Sequence, residues 1–84
     1  MPVKFSEHAW DDYLYWQATD KRLLKRVNEL IRDCVRSPFE GLGKPEPLKH
    51  QLAGFWSRRI DGTHRLVYRI EDGTLEIAAC RYHY

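Results

Sequence analysis

The sequence predicts an α+β fold, in which two N-terminal helices pack on one face of an antiparallel β-sheet. Two observations carry that expectation. In the first half, Leu23, Leu24, Val27, Leu30, Ile31 and Cys34 recur at helical spacing. In the second half, the segments "GFWSRRI", "HRLVYRI" and "TLEIAACRYHY" are separated by Asp61-Gly62 and Asp72-Gly73, which read as hairpin turns. With 84 residues there is room for one core, so residues 1–84 form a single domain without a linker or repeat.

Taken in order, "PVKF" alternates apolar and polar residues and predicts a short strand. Ser6 is a helix cap, with Glu7 favourably placed in the first turn. Trp10, Tyr13, Leu14 and Gln17 follow at helical spacing, which puts Asp11, Asp12 and Tyr15 on the other faces. A turn near Thr19-Asp20 starts a second helix, whose outer faces carry Lys21, Arg22, Lys25, Arg26, Arg32 and Arg36. Ser37-Pro38 ends it, because a residue before Pro is pushed out of helical geometry. Residues 37–50 form a loop with restricted geometry, in which Pro45 and Pro47 bracket Glu46 and favour an extended backbone there.

The strand register can also be anticipated. A three-residue loop centred on Gly62 pairs Arg59 with Arg65, placing both on one face. A strict two-residue turn at Asp72-Gly73 pairs Glu71 with Thr74 and puts His83 on the face opposite Arg65. A bulge, a longer loop or terminal twist is needed to bring the two together. The closing "CRYHY" is aromatic and cationic, where chain ends are usually polar and frayed. The expectation is a final strand pinned by its ladder through Cys80, with Tyr82, His83 and Tyr84 emerging beside the arginines.

Composition narrows the function classes. Hydrophobic residues at 43% and charged residues at 31% are globular rather than disordered proportions. Two cysteines far apart do not make a disulfide framework, so free thiols in a reducing cytosol are expected. "MPVKFSEHAW" has no apolar leader, and the protein is expected to be soluble and cytoplasmic. The net charge of +2 hides concentrated basic segments over residues 20–36 and 44–69 with aromatics interleaved, a pattern that fits RNA or DNA better than a membrane surface.

Three residue types suggest chemistry, each with an ordinary reading beside it. Glu46 in its Pro-stiffened loop is a candidate general base, or a solvated loop glutamate. Arg58, Arg59, Arg65, Arg69 and Arg81 on the strands are candidate phosphate ligands, or sheet-face charges paired with Glu71 or Glu76. His83, between Tyr82 and Tyr84, is a candidate proton donor near neutral pH, or a surface histidine. No His, Cys or Asp cluster has metal-ligand spacing, and GxGxxG, P-loop and GxSxG motifs are missing, so no metal and no cofactor is expected. Together these parts permit metal-free RNA cleavage, with Glu46 as base, Arg65 on the phosphate and His83 as acid. They equally permit a nucleic-acid-binding module that does not cleave.

"KPEPLKH", "GFWSRRI", "HRLVY" and "ACRYHY", with "WDDYLYWQ" and "TDKR" in the helices, closely resemble the YoeB toxins of the RelE/ParE toxin–antitoxin superfamily along the whole chain. The resemblance implies a microbial-ribonuclease-like fold and a ribosome-dependent mRNA endonuclease that acts in the ribosomal A site without a metal. It implies Glu46 as base, Arg65 as phosphate ligand and His83 as acid, supported by Lys49, Arg59 and Tyr84. It further implies a homodimer, inhibition by a cognate YefM-type antitoxin, and contact with operator DNA only through the antitoxin complex. The "DGTH" and "EDGT" turns and Cys34 depart from the family and bear on antitoxin pairing. ParE-type relatives of the same fold act instead by binding DNA gyrase, and the presence of Glu46, Arg65 and His83 argues against that alternative.

Overall fold

The computed structural model describes residues 1–83. In chain order it contains β1 (Val3–Phe5), α1 (Glu7–Thr19), α2 (Lys21–Arg36), β2 (Glu46–Pro47), β3 (Trp56–Arg59), β4 (Arg65–Glu71) and β5 (Thr74–Ala79), with a short 3-10 turn at His50–Leu52. The five strands form one sheet in the order β1-β5-β4-β3-β2, and both helices pack on one of its faces. The sheet is mixed rather than wholly antiparallel, because β1 lies parallel to β5 at the edge. Ser6 fixes the exit from β1. Its amide donates to the Ile77 carbonyl at 2.9 Å and its hydroxyl to the Ala78 carbonyl, while its Oγ accepts the Ala9 amide and starts α1.

Helix α2 has the expected phase. Asp20 caps it through the Arg22 and Leu23 amides, and Val27, Leu30 and Cys34 are buried against Leu66, Tyr68, Leu75 and Ile77. Burial pushes the Cys34 thiol up to about 11 and that of Cys80 to about 12, so both remain neutral core groups. The phase of α1 differs from expectation. Ala9, Asp12 and Trp16 face the core, whereas Trp10 and Leu14 are exposed. Polar partners explain the rotation. The Cys80 amide donates to Asp12 Oδ2 at 3.0 Å, and Trp16 Nε1 donates to the Cys80 carbonyl at 2.7 Å. Trp10 instead stacks on Tyr13 and meets Phe5 edge-on.

Arg58 is a structural residue and not a phosphate ligand, contrary to its place in the predicted arginine cluster. It is fully buried, paired with Asp33 at 2.6 Å, and bonded to the Tyr68 hydroxyl and the carbonyls of Ser37, Glu40 and Leu42. One guanidinium thus satisfies the turn that follows α2. The hydrogen bond from the Leu42 amide, with those from Arg36 and Arg58, lowers the Asp33 carboxyl from 3.8 to about 2. Gly41 is required here: its φ is +114°, and a β-carbon would lie 2.2 Å from Asp33 Oδ2.

Strands β3 and β4 pair Arg59 with Arg65, and β4 and β5 pair Glu71 with Thr74, both as the sequence predicts. Strand β5 stops at Ala79, so the ladder does not continue through Cys80. The Cys80 backbone groups go to Asp12 and Trp16 instead. No helix among the described residues is long and apolar enough to cross a membrane.

Candidate active site

Side-chain alternation decides what the helix-free face of the sheet displays. Leu66 and Tyr68 point into the core, so Arg65, Val67 and Arg69 point to the other face. Pairing extends this across the strands. Glu46 pairs with Ser57, Ser57 with Val67, and Val67 with Ala79, giving one cross-strand row from β2 to β5. Arg59 and Arg65 form the adjacent row, one side-chain repeat (about 7 Å) along the strands. Glu46 and Arg59 are exposed and Arg65 is half-buried. The sheet therefore brings the candidate base and two candidate phosphate ligands onto one surface.

The loop before β2 delivers Glu46. Gly43 has φ +78° and accepts the Arg59 amide at 2.6 Å; a β-carbon there would press on Leu30 and Arg58. The Pro-bracketed residue is extended as predicted, and it does more than expected by pairing with β3 as a two-residue edge strand. Lys49 shares an open cavity of about 330 Å³ with Glu46, Leu48 and Leu52.

An irregularity in β5 changes the phase of the following residues. Tyr68 pairs with Ile77 but Val67 pairs with Ala79, so Ala78 is the extra residue of a bulge. The bulge puts Ala79 in phase with Val67 and Arg65, and alternation ends there with β5: Arg81 stacks on Tyr15 of α1 and Tyr82 turns left-handed. His83 lines a cavity of about 380 Å³ together with Val67, Ala79, Arg81, His8 and Leu52. Leu52 lines the cavities of both His83 and Glu46, and Val67 belongs to the Glu46 row. Tyr84 lies outside the described residues.

Residues 80–82 hold their path through side chains and turn bonds. The Arg65 amide donates to the Tyr82 carbonyl at 2.8 Å, and the Tyr82 amide donates to His64 Nδ1 at 2.7 Å. Tyr82 is left-handed there, with φ +59°. Arg65 is oriented by its own turn, donating through Nη1 to the carbonyls of Asp61 and His64. Burial works against the Asp61 charge, but the His64 and Thr63 amides outweigh it and hold that carboxyl below its usual range.

The other strand arginines divide by surroundings. Arg69 is spent on Glu71 at 3.0 Å and Glu76 at 2.8 Å, the ordinary pairing, and this Arg69 bond lowers the Glu76 carboxyl. Arg81 lies beyond β5, stacked over Tyr15 at 3.5 Å and close to Tyr82. Among the described residues no group of three or more His, Cys, Asp and Glu side chains is arranged to hold a metal ion. Sequence reasoning missed Asp12, Trp16 and His64, because all three act on backbone groups of a segment distant in the chain. The one local signal was Asp61, whose carboxylate accepts the Thr63 and His64 amides in a side-chain-capped turn.

Comparison with known proteins is consistent along the chain. Residues 5–84 match the model of the YoeB-like toxin of bacterial type II toxin–antitoxin systems. The chain is 68% identical to Toxin YoeB of Escherichia coli K12, over 100% of both chains. A YoeB/ParE toxin structure from Agrobacterium tumefaciens superposes with a TM-score of 0.98 at 51% identity, covering 100% of each chain. Two Staphylococcus aureus structures, a YoeB–YefM heterotetramer and a YoeB dimer, each give 0.92 at 47% identity, covering 100% of this chain and 98% of theirs.

Proposed function

Since the chain belongs to the family of YoeB-like toxins of bacterial type II toxin–antitoxin systems, we propose that it is a ribosome-dependent mRNA endonuclease. It cuts translated mRNA in the A site by general acid–base chemistry and so inhibits translation in the cytoplasm. The observation that carries this reading is the cross-strand row of Glu46, Ser57, Val67 and Ala79, beside the Arg59–Arg65 row and the cavity lined by His83.

In the proposed reaction Glu46 takes the proton of a ribose 2′-hydroxyl. The 2′-oxygen attacks the adjacent phosphorus, and the bond to the 5′-oxygen of the next nucleotide breaks. Arg65, with Lys49 and Arg59, stabilises the charge that builds on the phosphorane oxygens. His83 gives its proton to the departing 5′-oxygen, and Tyr84 supports the substrate. The products are a 2′,3′-cyclic phosphate, which opens to a 3′-phosphate, and a free 5′-hydroxyl. No step uses a metal ion or other cofactor.

The proposed partners are mRNA, the ribosome, a second copy of the chain and a YefM-type antitoxin, with operator DNA reached only through the antitoxin complex. The S. aureus complex and dimer support the two protein partners. Adding the protein to translating ribosomes and mapping mRNA 5′ ends by primer extension tests the reading. New ends at A-site codons, with none on the same RNA without ribosomes, are expected. Translation arrest without new ends would replace it with a binding mode, and inhibition of gyrase would favour the ParE-type alternative.

A further inference from the structure

His64 is not among the residues that the proposed chemistry uses, yet it is held on several sides. Its amide donates to Asp61 Oδ1 at 2.7 Å, and its carbonyl accepts the Ile60 amide at 2.9 Å and Arg65 Nη1 at 3.0 Å. Its ring stands edge-on to Trp16, with centroids 4.7 Å apart. That leaves Nδ1 aimed at the Tyr82 amide, 2.7 Å away. An imidazole nitrogen accepts only when it carries no proton, so the proton of the neutral ring sits on Nε2.

The bond falls at a sensitive place. Strand pairing has ended at Ala79, and Tyr82 adopts a left-handed conformation, which costs a non-glycine residue free energy unless its surroundings hold it there. The hold has two halves: the Tyr82 carbonyl is fixed by the Arg65 amide and the Tyr82 amide by His64. His83 is the next residue.

We propose that His64 is a positioning residue for the cleavage reaction: its Nδ1 accepts the Tyr82 amide and fixes the turn that presents His83 to the leaving oxygen. Because His64 and Arg65 are adjacent, the same short segment sets both the phosphate ligand and the acid. The inference rests on the reading of His83 as the acid.

The test compares His64→Asn, which places an acceptor oxygen on Cγ where the imidazole has Nδ1, with His64→Leu, which keeps bulk against Trp16 but has no acceptor. Two readouts are taken: single-turnover cleavage of mRNA on programmed ribosomes, and hydrogen exchange of the Tyr82 amide in the free protein. His64→Leu is expected to lower the saturating rate by about 10²-fold, the order of loss from a small misplacement of a reacting group, without changing the concentration for half-saturation. Its Tyr82 amide should exchange rapidly, and His64→Asn should restore both properties. Wild-type cleavage by His64→Leu, equal damage in both variants, or unchanged Tyr82 protection in His64→Leu would overturn the proposal. His83→Ala separates the two layers: if it cleaves normally, the acid assignment fails, while the exchange data still judge the hold of His64 on the turn.

Discussion

The Cys80 amide donates to the Asp12 carboxylate at 3.0 Å, joining residues 68 apart in the chain. With Trp16 on the Cys80 carbonyl, helix α1 takes over where the sheet ladder ends, and residues 81–83 leave from a fixed point. Asp12→Ala leaves a buried amide without a partner, at a cost of about 1–3 kcal/mol. Thermal unfolding should shift downward by roughly 4–8 °C per kcal/mol for a chain of this size. Asp12→Asn retains an acceptor oxygen and should lose less. Equal melting temperatures for wild type and Asp12→Ala would remove the clamp from the account.

Asp33 and Arg58 give the fold an acid limit. The folded Asp33 carboxyl is depressed to about 2 from 3.8, so its ionised form is favoured by folding. That contribution is fully present above the unfolded value and is lost as pH falls through the folded one. Denaturant midpoints should therefore decline between about pH 4 and pH 2. Asp33→Asn should be less stable at neutral pH and flatter across that window, because it leaves Arg58 buried without its counter-charge. A variant with the same acid slope as wild type would show that other carboxylates set it.

Arg65→Ala should abolish cleavage while largely preserving association with ribosomes. The exposed basic residues of α2, including Lys21, Arg22, Lys25 and Arg32, retain diffuse attraction to phosphate. That association should weaken as salt is raised, in both wild type and variant. Loss of ribosome binding in parallel with cleavage would make Arg65 an anchoring residue instead.

Much of this arrangement was legible in the residues. Local signals worked where local physics decides: the Ser6 cap, the turn at Thr19-Asp20, the α2 stripe, the Ser37-Pro38 stop and the Asp72-Gly73 turn. The Arg59–Arg65 pairing followed from turn length, and Pro45 and Pro47 did announce an extended Glu46. What stayed hidden depends on distant partners. Asp12 looked solvent-facing because the backbone amide that buries it comes from residue 80. Arg58 looked like its neighbour Arg59, although alternation sends it into the core, where Asp33 and three carbonyls of the loop after α2 await it. The parallel pairing of β1 leaves no mark in "PVKF", since a three-residue edge strand reads alike in either direction. For the site, the identity of Glu46, Arg65 and His83 came from resemblance and residue type. The bulge at Ala78, which puts Ala79 in phase with Arg65, could only be posed as a requirement, and the partners that steer the chain after it, Asp12, Trp16 and His64, are distant in sequence.

The measurement that bears most directly on the central claim is the chemical identity of the ends left on translated mRNA. General acid–base cleavage through the 2′-hydroxyl, with Glu46 as base, predicts a 2′,3′-cyclic phosphate or 3′-phosphate on the upstream fragment and a 5′-hydroxyl on the downstream one. The downstream fragment should be labelled by polynucleotide kinase without prior phosphatase treatment, and Glu46→Ala, remaining folded, should yield almost none of it. A 5′-phosphate on the downstream fragment, or the same fragment formed at wild-type rate by Glu46→Ala, would contradict the account.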